Sequence, residues 1–463
     1  MTEQQASLSS PPTLKEQLRL FAFNGRNQSE RPHSFEPQMS KRERLAALLE
    51  GELDFHGTDS GYASHNLHAF AAKFPPQLPR AFIRGLTRPG QVVLDPMMGS
   101  GTTIVEAILE GRCGIGLDLD PLAVQLGQVK TTPLDMDAVR LAGLEVAARA
   151  YDLITNNVAL VAQNLAQRFE QETRAFIDYW FLPNTQLELM ALVLALEGVE
   201  GPPIKRFLQL TFSSVIVTKS GGVSRARDLA HSRPHRVEDK VPRNALEQFS
   251  TRFGKNLASL AEIRRIEAAG MVTNADTRSM PLADEVVDLI VTSPPYANAI
   301  DYMRAHKFSL VWLGASVNSL SEVRSQYIGS ERVGDSLLGK TPLPDRAEEI
   351  IGSLAALDRK KADILRKYFV EMRMTLAEMV RVLRKDGAAI VVVGTSTMRG
   401  LDVQTHTCLA DIGASLGFEV VGVVERNLDR NKRMMPARFG KQKGSNIEHR
   451  MHEEYVIGFY KGE

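Results

Sequence analysis

The sequence predicts an α/β fold, one sheet with a mainly helical inserted module. Three observations lead there. First, residues 91–118 run from an apolar stretch, QVVLD, through a glycine-rich turn and a helix-like TTIVEAILEG to a second apolar stretch, CGIGLD. That is a β-turn-α-β unit. Second, the apolar runs EVVDLIVTS, GAAIVVVG, FEVVGVVER and YVIGFYK recur downstream, separated by helical patterns, and read as later strands of the same sheet. Third, residues 131–268 break the alternation with helical periodicity, as in VRLAGLEVAARAYDLI and NTQLELMALVLALEGV.

Residues 1–50 are polar and rich in Ser, Gln, Pro and Arg, ending in the helix-like SKRERLAALLEGEL, and are expected to be a partly ordered arm. Residues 51–130 and 269–463 then form the α/β domain, with 131–268 inserted. A chain of 463 residues has room for one large domain and a second module. Hydrophobic residues at 43% and charged residues at 24% are the balance of a globular protein. No basic segment precedes an apolar one at the N-terminus, and no run reaches the roughly 18 apolar residues that span a bilayer, so a cytoplasmic protein is expected. Cys113 and Cys408 lack metal or disulfide spacing and fit a reducing compartment.

In VVLDPMMGSGTT, Asp95 ends a strand, Gly99, Ser100 and Gly101 form the loop, and Thr102 and Thr103 open a helix. Glycine lets backbone approach a ligand, at the crevice where strand ends and helix starts converge. A GSGT turn also suits a phosphate, but no Lys adjoins the threonines. GIGLD ends the next strand with Asp118, placed to accept hydrogen bonds from two ribose hydroxyls. Asp120 is a helix cap before Pro121.

The run VVDLIVTSPPYANAIDY is the most informative. A strand leads into Ser293, Pro294, Pro295 and Tyr296. Two prolines fix an extended backbone without amide donors, leaving carbonyls free to face the crevice. An exocyclic amine on an aromatic base is a poor nucleophile because its lone pair is conjugated with the ring. Ser293 Oγ and the Pro294 carbonyl each offer an acceptor for one amine hydrogen, favouring a pyramidal nitrogen; orientation then does most of the work. Tyr296 offers a flat face for a base rotated out of a helix, with Tyr302 as a second candidate.

Together, DPMMGSGTT and TSPPY resemble the cofactor and catalytic motifs of the amino-methylating DNA methyltransferases. The resemblance implies a Rossmann-like S-adenosylmethionine-dependent methyltransferase sheet acting on double-stranded DNA, with no metal. It places Asp95, Pro96, Gly99, Ser100, Gly101, Thr102 and Thr103 in the cofactor motif, with Asp95, Gly99 and Gly101 at the methionine part. Asp118 falls at the ribose and Asp276, in NADTRSMPL, at the adenine amine. HAFAAKFPPQLPRAFI is similar to the flanking cofactor motif, with Lys73, Phe74 and Pro75 as contacts. Ser-Pro-Pro-Tyr is typical of cytosine-N4 enzymes and Asp-Pro-Pro-Tyr of adenine-N6 enzymes, so Ser293 implies cytosine. The cofactor half precedes the catalytic half, which excludes the permuted group. The family analogy implies restriction–modification or phage defence. A same-class alternative acts on adenine N6 or an RNA base. An alternative of another class is a catalytically silent nucleic-acid-binding subunit, against which the intact motifs stand.

The net charge is only +1, so any nucleic-acid footprint is local. Residues 205–265 hold thirteen Lys and Arg against five Asp and Glu. Lys219, Arg225, Arg227, Arg233, Arg236 and Arg243 are the candidates for tracking phosphates, which positions a protein without specifying sequence. A second basic run is RNLDRNKRMMPARFGKQKG. His56, His65 and His68 lack partner acids or thiols at metal spacing and are read as structural. His306 and Lys307 are weaker candidates for holding the catalytic loop or touching the DNA backbone.

Overall fold

A computed structural model describes residues 39–70, 73–218, 222–227, 229, 234–260, 269–297, 301–330, 341–394, 396–428 and 453–462. The apolar runs become strands of one seven-stranded sheet: β1 (Val92–Asp95), β2 (Cys113–Asp118), β3 (Gly270–Asn274), β4 (Val287–Thr292), β5 (Leu383–Gly394), β6 (Glu419–Asn427) and β7 (Glu453–Lys461). Their order is β3-β2-β1-β4-β5-β7-β6. Strands β1 to β5 are parallel, and β7 lies antiparallel between β5 and β6. The short strand β3 gave no sequence signal; its burial is partial throughout, so it has no apolar run to show.

The chain winds outward from β1 to β2 and β3, then returns to place β4 on the other side of β1. The carboxyl ends of β1 and β4 therefore flank the switch point, where open α/β sheets bind ligands. Helices cover both faces. Leu78, Phe82 and Ile83 pack with Leu289 and Val291 on one, and Phe369, Met372 and Leu376 with Ile290 and Val391 on the other.

Two boundaries differ from the sequence reading. Helix Lys41–Glu50 starts from a capping box, Ser40 with Glu43, and buries Leu45 and Leu49 against the sheet. The end of the polar arm is thus part of the α/β core, because its leucines recur at helical spacing. The helices of 131–260 also share a core with the catalytic half: Phe181, Phe207 and Phe212 pack in one cluster with Leu122, Leu126, Phe308 and Trp312. The insertion is a helical layer built onto the domain. Among the described residues no helix is long and apolar enough to cross a membrane.

Candidate active site

At the cofactor loop the backbone itself demands glycine. Gly99 and Gly101 have φ of 48° and 73°, in the left-handed region that side chains disfavour. A Cβ on Gly99 would also lie 3.0 Å from the Phe70 ring. Gly101 caps the helix Thr102–Leu109. Thr103 Oγ1 donates to Val291 O at 3.1 Å, tying that helix to β4. Beneath the loop the buried Lys130 donates to Ser100 O at 2.6 Å, and burial, then Lys73, pushes its pKa well down. Sequence reasoning missed Lys130, whose position in an ordinary helical pattern carries no signal.

Asp95 and Asp118 end β1 and β2, the first buried and the second partly so. Thr292 Oγ1 donates to Asp95 Oδ1 at 2.7 Å. Gly99 N and Asp120 N each donate to an Asp118 oxygen at 2.8 Å. Burial raises Asp95 to about 6; burial and then the charge of Asp120 raise Asp118 to about 7. Among the described residues no cation pairs with either. The pair therefore suits a ligand that brings hydroxyl donors and positive charge.

A cavity of about 460 Å³ joins these groups to the Ser-Pro-Pro-Tyr loop, a size suited to a small molecule. Asp95, Pro96, Gly99, Ser100, Thr102, Asp118, Lys73 and Phe74 line it, as do Ser293 and Pro295. Gly101, Thr103, Pro75 and Pro294 are not in the wall. Asp276 also stands outside the wall. Arg278 takes its carboxylate through Nε and Nη2 at 2.9 and 2.7 Å, and holds it below the ordinary range against partial burial. Its neighbours Ala275 and Thr277 line the cavity instead.

Tyr296 and Tyr302 exchange the places the sequence suggests. The Tyr296 ring is half-buried against the core, and its hydroxyl donates to Glu454 Oε1 at 2.8 Å. Burial, then Glu454, raises its pKa well above the ordinary value, so it stays a donor. Glu454 in turn binds the buried Arg426 at 2.7 Å, and Arg426 Nε donates to Leu53 O. Tyr302 is the tyrosine that lines the cavity, stacked on Phe70 with centroids 5.2 Å apart and an angle of 26°.

The outer wall comes from Asp301, Arg304 and the stretch 321–330. Asp120 couples it to the cofactor side. One carboxylate oxygen caps helix Pro121–Thr131, while the other takes the Tyr327 hydroxyl at 2.9 Å and lies 2.7 Å from His306 Nδ1. Burial alone would raise Asp120, but His306 and Tyr327 bring it below its ordinary value. His306 thus holds the catalytic segment to the end of β2. Gly329 N donates to Glu371 and Lys367 to Ser330 Oγ, fixing the far end of the stretch.

His65 Nε2 lies 2.7 Å from Glu106, and His68 Nε2 lies 2.9 Å from Ser213 Oγ. Burial pushes both imidazoles down, to about 4 and about 3. Among the described residues no group of three or more His, Cys, Asp or Glu is placed to hold a metal ion. Of the basic candidates, Arg225 and Arg236 share Glu238 at 2.6 and 3.1 Å, and Arg236 also lies over the Tyr179 ring. Arg227 and Arg243 are exposed. Lys219, Arg233 and residues 429–452, with most of the second basic run, lie outside the described residues.

The chain has relatives among known proteins. Residues 27–129 match the family model described as DNA methylase, N6_N4_Mtase. The type II methyltransferase M.MvaI of Kocuria varians is 23% identical over 78% of this chain and 83% of its own. M.MjaII of Methanocaldococcus jannaschii is 21% identical over 59% of this chain and 67% of its own. M.BglI of Bacillus subtilis is 51% identical over a shorter stretch, 12% of this chain and 16% of its own. Over residues 27–129, the stretch with β1, the glycine loop and β2, the chain matches the amino-methylating DNA methyltransferases, a family that takes its methyl group from S-adenosylmethionine.

Proposed function

We propose that the chain methylates the exocyclic N4 amine of cytosine in duplex DNA, at a fixed short site, with the base rotated out of the helix. The observation that carries the reading is Ser293, a hydroxyl at the end of β4 in one cavity with Asp95 and Asp118. In this reading Asp95, Gly99 and Asp118 hold the cofactor, which when bound supplies an electrophilic methyl group on a sulfonium. Ser293 Oγ and the Pro294 carbonyl each accept one amine hydrogen and turn the nitrogen lone pair toward that methyl. No strong base is required, because a methylated aryl ammonium is acidic enough to give its proton to water. Phe70 and Tyr302 offer the aromatic faces for an extruded base. Arg227 and Arg243, exposed on the insertion, are the remaining described candidates for phosphate contacts. The names of the relatives support a role in restriction–modification.

The test is expression in a methylation-free bacterial host, followed by genomic sequencing that distinguishes modified bases. N4-methylcytosine in one short context is expected. N6-methyladenine would overturn the base assignment and keep the cofactor site; unmodified DNA would overturn both the target and the independent activity of the chain.

A further inference from the structure

One carboxylate in the cavity wall has unused capacity. Asp301 Oδ2 accepts from Arg304 Nε at 2.9 Å and from Arg324 at 2.5 Å, while Oδ1 is buried with no hydrogen-bond partner among the described residues. All three side chains line the cavity that also holds Ser293 and Asp118. A carboxylate oxygen withdrawn from water strongly favours a donor, because leaving it unmade forfeits its solvation. Neither guanidinium has another acidic partner among the described residues, so both keep N–H groups for an acceptor. The cluster thus asks for a ligand edge that carries an N–H beside an oxygen or a ring nitrogen.

We infer that Asp301, Arg304 and Arg324 read the edge of the extruded base. Asp301 accepts the amine hydrogen otherwise left to the carbonyl of Pro294, which is not in the cavity wall; Ser293 Oγ keeps the other, and the guanidinium groups donate to the adjoining ring acceptors. This rests on the proposed function and sharpens it. The Watson–Crick edge of cytosine presents its amine, then N3, then O2; that of adenine presents its amine, then N1, then a C–H. A guanidinium meets two acceptors on cytosine and one on adenine, a difference that carries about ten- to a hundredfold discrimination at base edges. It also gives a Ser-Pro-Pro-Tyr loop the carboxylate acceptor that the Asp-Pro-Pro-Tyr form carries within its motif, supplied here from eight residues downstream. A charged acceptor binds an N–H about twice as strongly as a hydroxyl does.

The methionine end of the cofactor pairs an ammonium with a carboxylate and presents the same chemistry, so the experiment separates the two sources. The full chain is made as Asp301→Asn, Arg304→Met and Arg324→Met. S-adenosylmethionine affinity is measured by calorimetry without DNA, and kcat and KM on a duplex carrying the genomic site. Cofactor affinity within about twofold of the parent, a loss of about 100-fold in kcat for D301N, and a narrowed preference for cytosine over adenine at the target in R324M are expected. Cofactor affinity that falls in step with the rate assigns the cluster to the methionine end and overturns the inference. Unchanged rates in all three variants overturn it as well. If D301N fails to fold, R304M and R324M decide by the same measurements. A parent enzyme that methylates adenine would sink the cytosine reading, yet a kcat loss in D301N at constant cofactor affinity would still mark a base-edge site. A parent that methylates cytosine with D301N unaffected would sink the cluster alone.

Discussion

The two sides of the cavity are built differently. The side at the ends of β1 and β2 comes mainly from 95–118, and its loop is closed locally, Asp118 taking Gly99 N 19 residues away, with Thr292 and Val291 tying it to β4. The outer side comes from 293–297, 301–304 and 321–330, and its parts are held from far off. Tyr296 meets Glu454 across 158 residues, and Tyr327 meets Asp120 across 207. The first side needs backbone shape, which a local glycine pattern secures. The second needs side chains placed to a fraction of an ångström, which only packing supplies.

Single changes can break that contrast. The largest effect is expected for Ser293→Ala, a loss of about 100- to 1000-fold in kcat with cofactor affinity retained. An unchanged rate would remove the hydroxyl from the mechanism. Glu454→Ala leaves the buried Arg426 unpaired and is expected to cost about 3–5 kcal/mol in urea unfolding, while Tyr296→Phe, which removes one hydrogen bond, costs about 1 kcal/mol. Equal losses in the two variants would mean that the Arg426–Glu454 pair contributes nothing beyond the tyrosine.

On the cofactor side, Gly99→Ala forces a side chain into the left-handed region and against Phe70. About 1–2 kcal/mol of strain is expected, with at least a tenfold loss of cofactor affinity by calorimetry. A pH series sharpens the same point. Asp95 and Asp118 are raised in the folded protein, so their ionised forms are the strained ones, and protonation removes the acceptors a ligand uses. Affinity is expected to hold above pH 7, to fall about tenfold by pH 6, and to fall further as Asp95 protonates. Asp118→Asn should abolish the upper step; a step that persists would assign it elsewhere. The smallest effect is expected for Arg227→Gln, a loss of less than about tenfold in DNA affinity, equal across sequences, with the salt slope reduced by about 1.

The legible parts of the molecule follow the same division. β1, β2, β4, β5, β6 and β7 appear in the sequence as apolar runs, and the glycine loop and TSPPY stand beside them as contiguous strings. Strand β3, at the sheet edge, has no such run. Asp276 shows the limit of motif reading: Arg278, two residues on, takes its carboxylate, and what fixes that arginine, Glu371, lies 93 residues away. Tyr296 and Tyr302 show another: both follow the loop, and which ring faces the cavity depends on Glu454 and Phe70, each far away in the chain. The insertion reads as a separate helical module because periodicity shows that a helix has an apolar face without showing what covers it.

By itself, then, the sequence determined the alternation of strands and helices, the turn at Gly99 and Gly101, and the serine that follows β4. Those depend on local backbone preference and on the spacing of apolar residues. Tertiary structure alone decided that Asp95 and Asp118 share a cavity with Ser293, that Tyr302 lines it while Tyr296 is tied back to Glu454, and that Asp301, in its wall, keeps a buried oxygen unpaired among the described residues. Burial and long-range pairing depend on which distant segments meet, and that information is carried by the packed core as a whole.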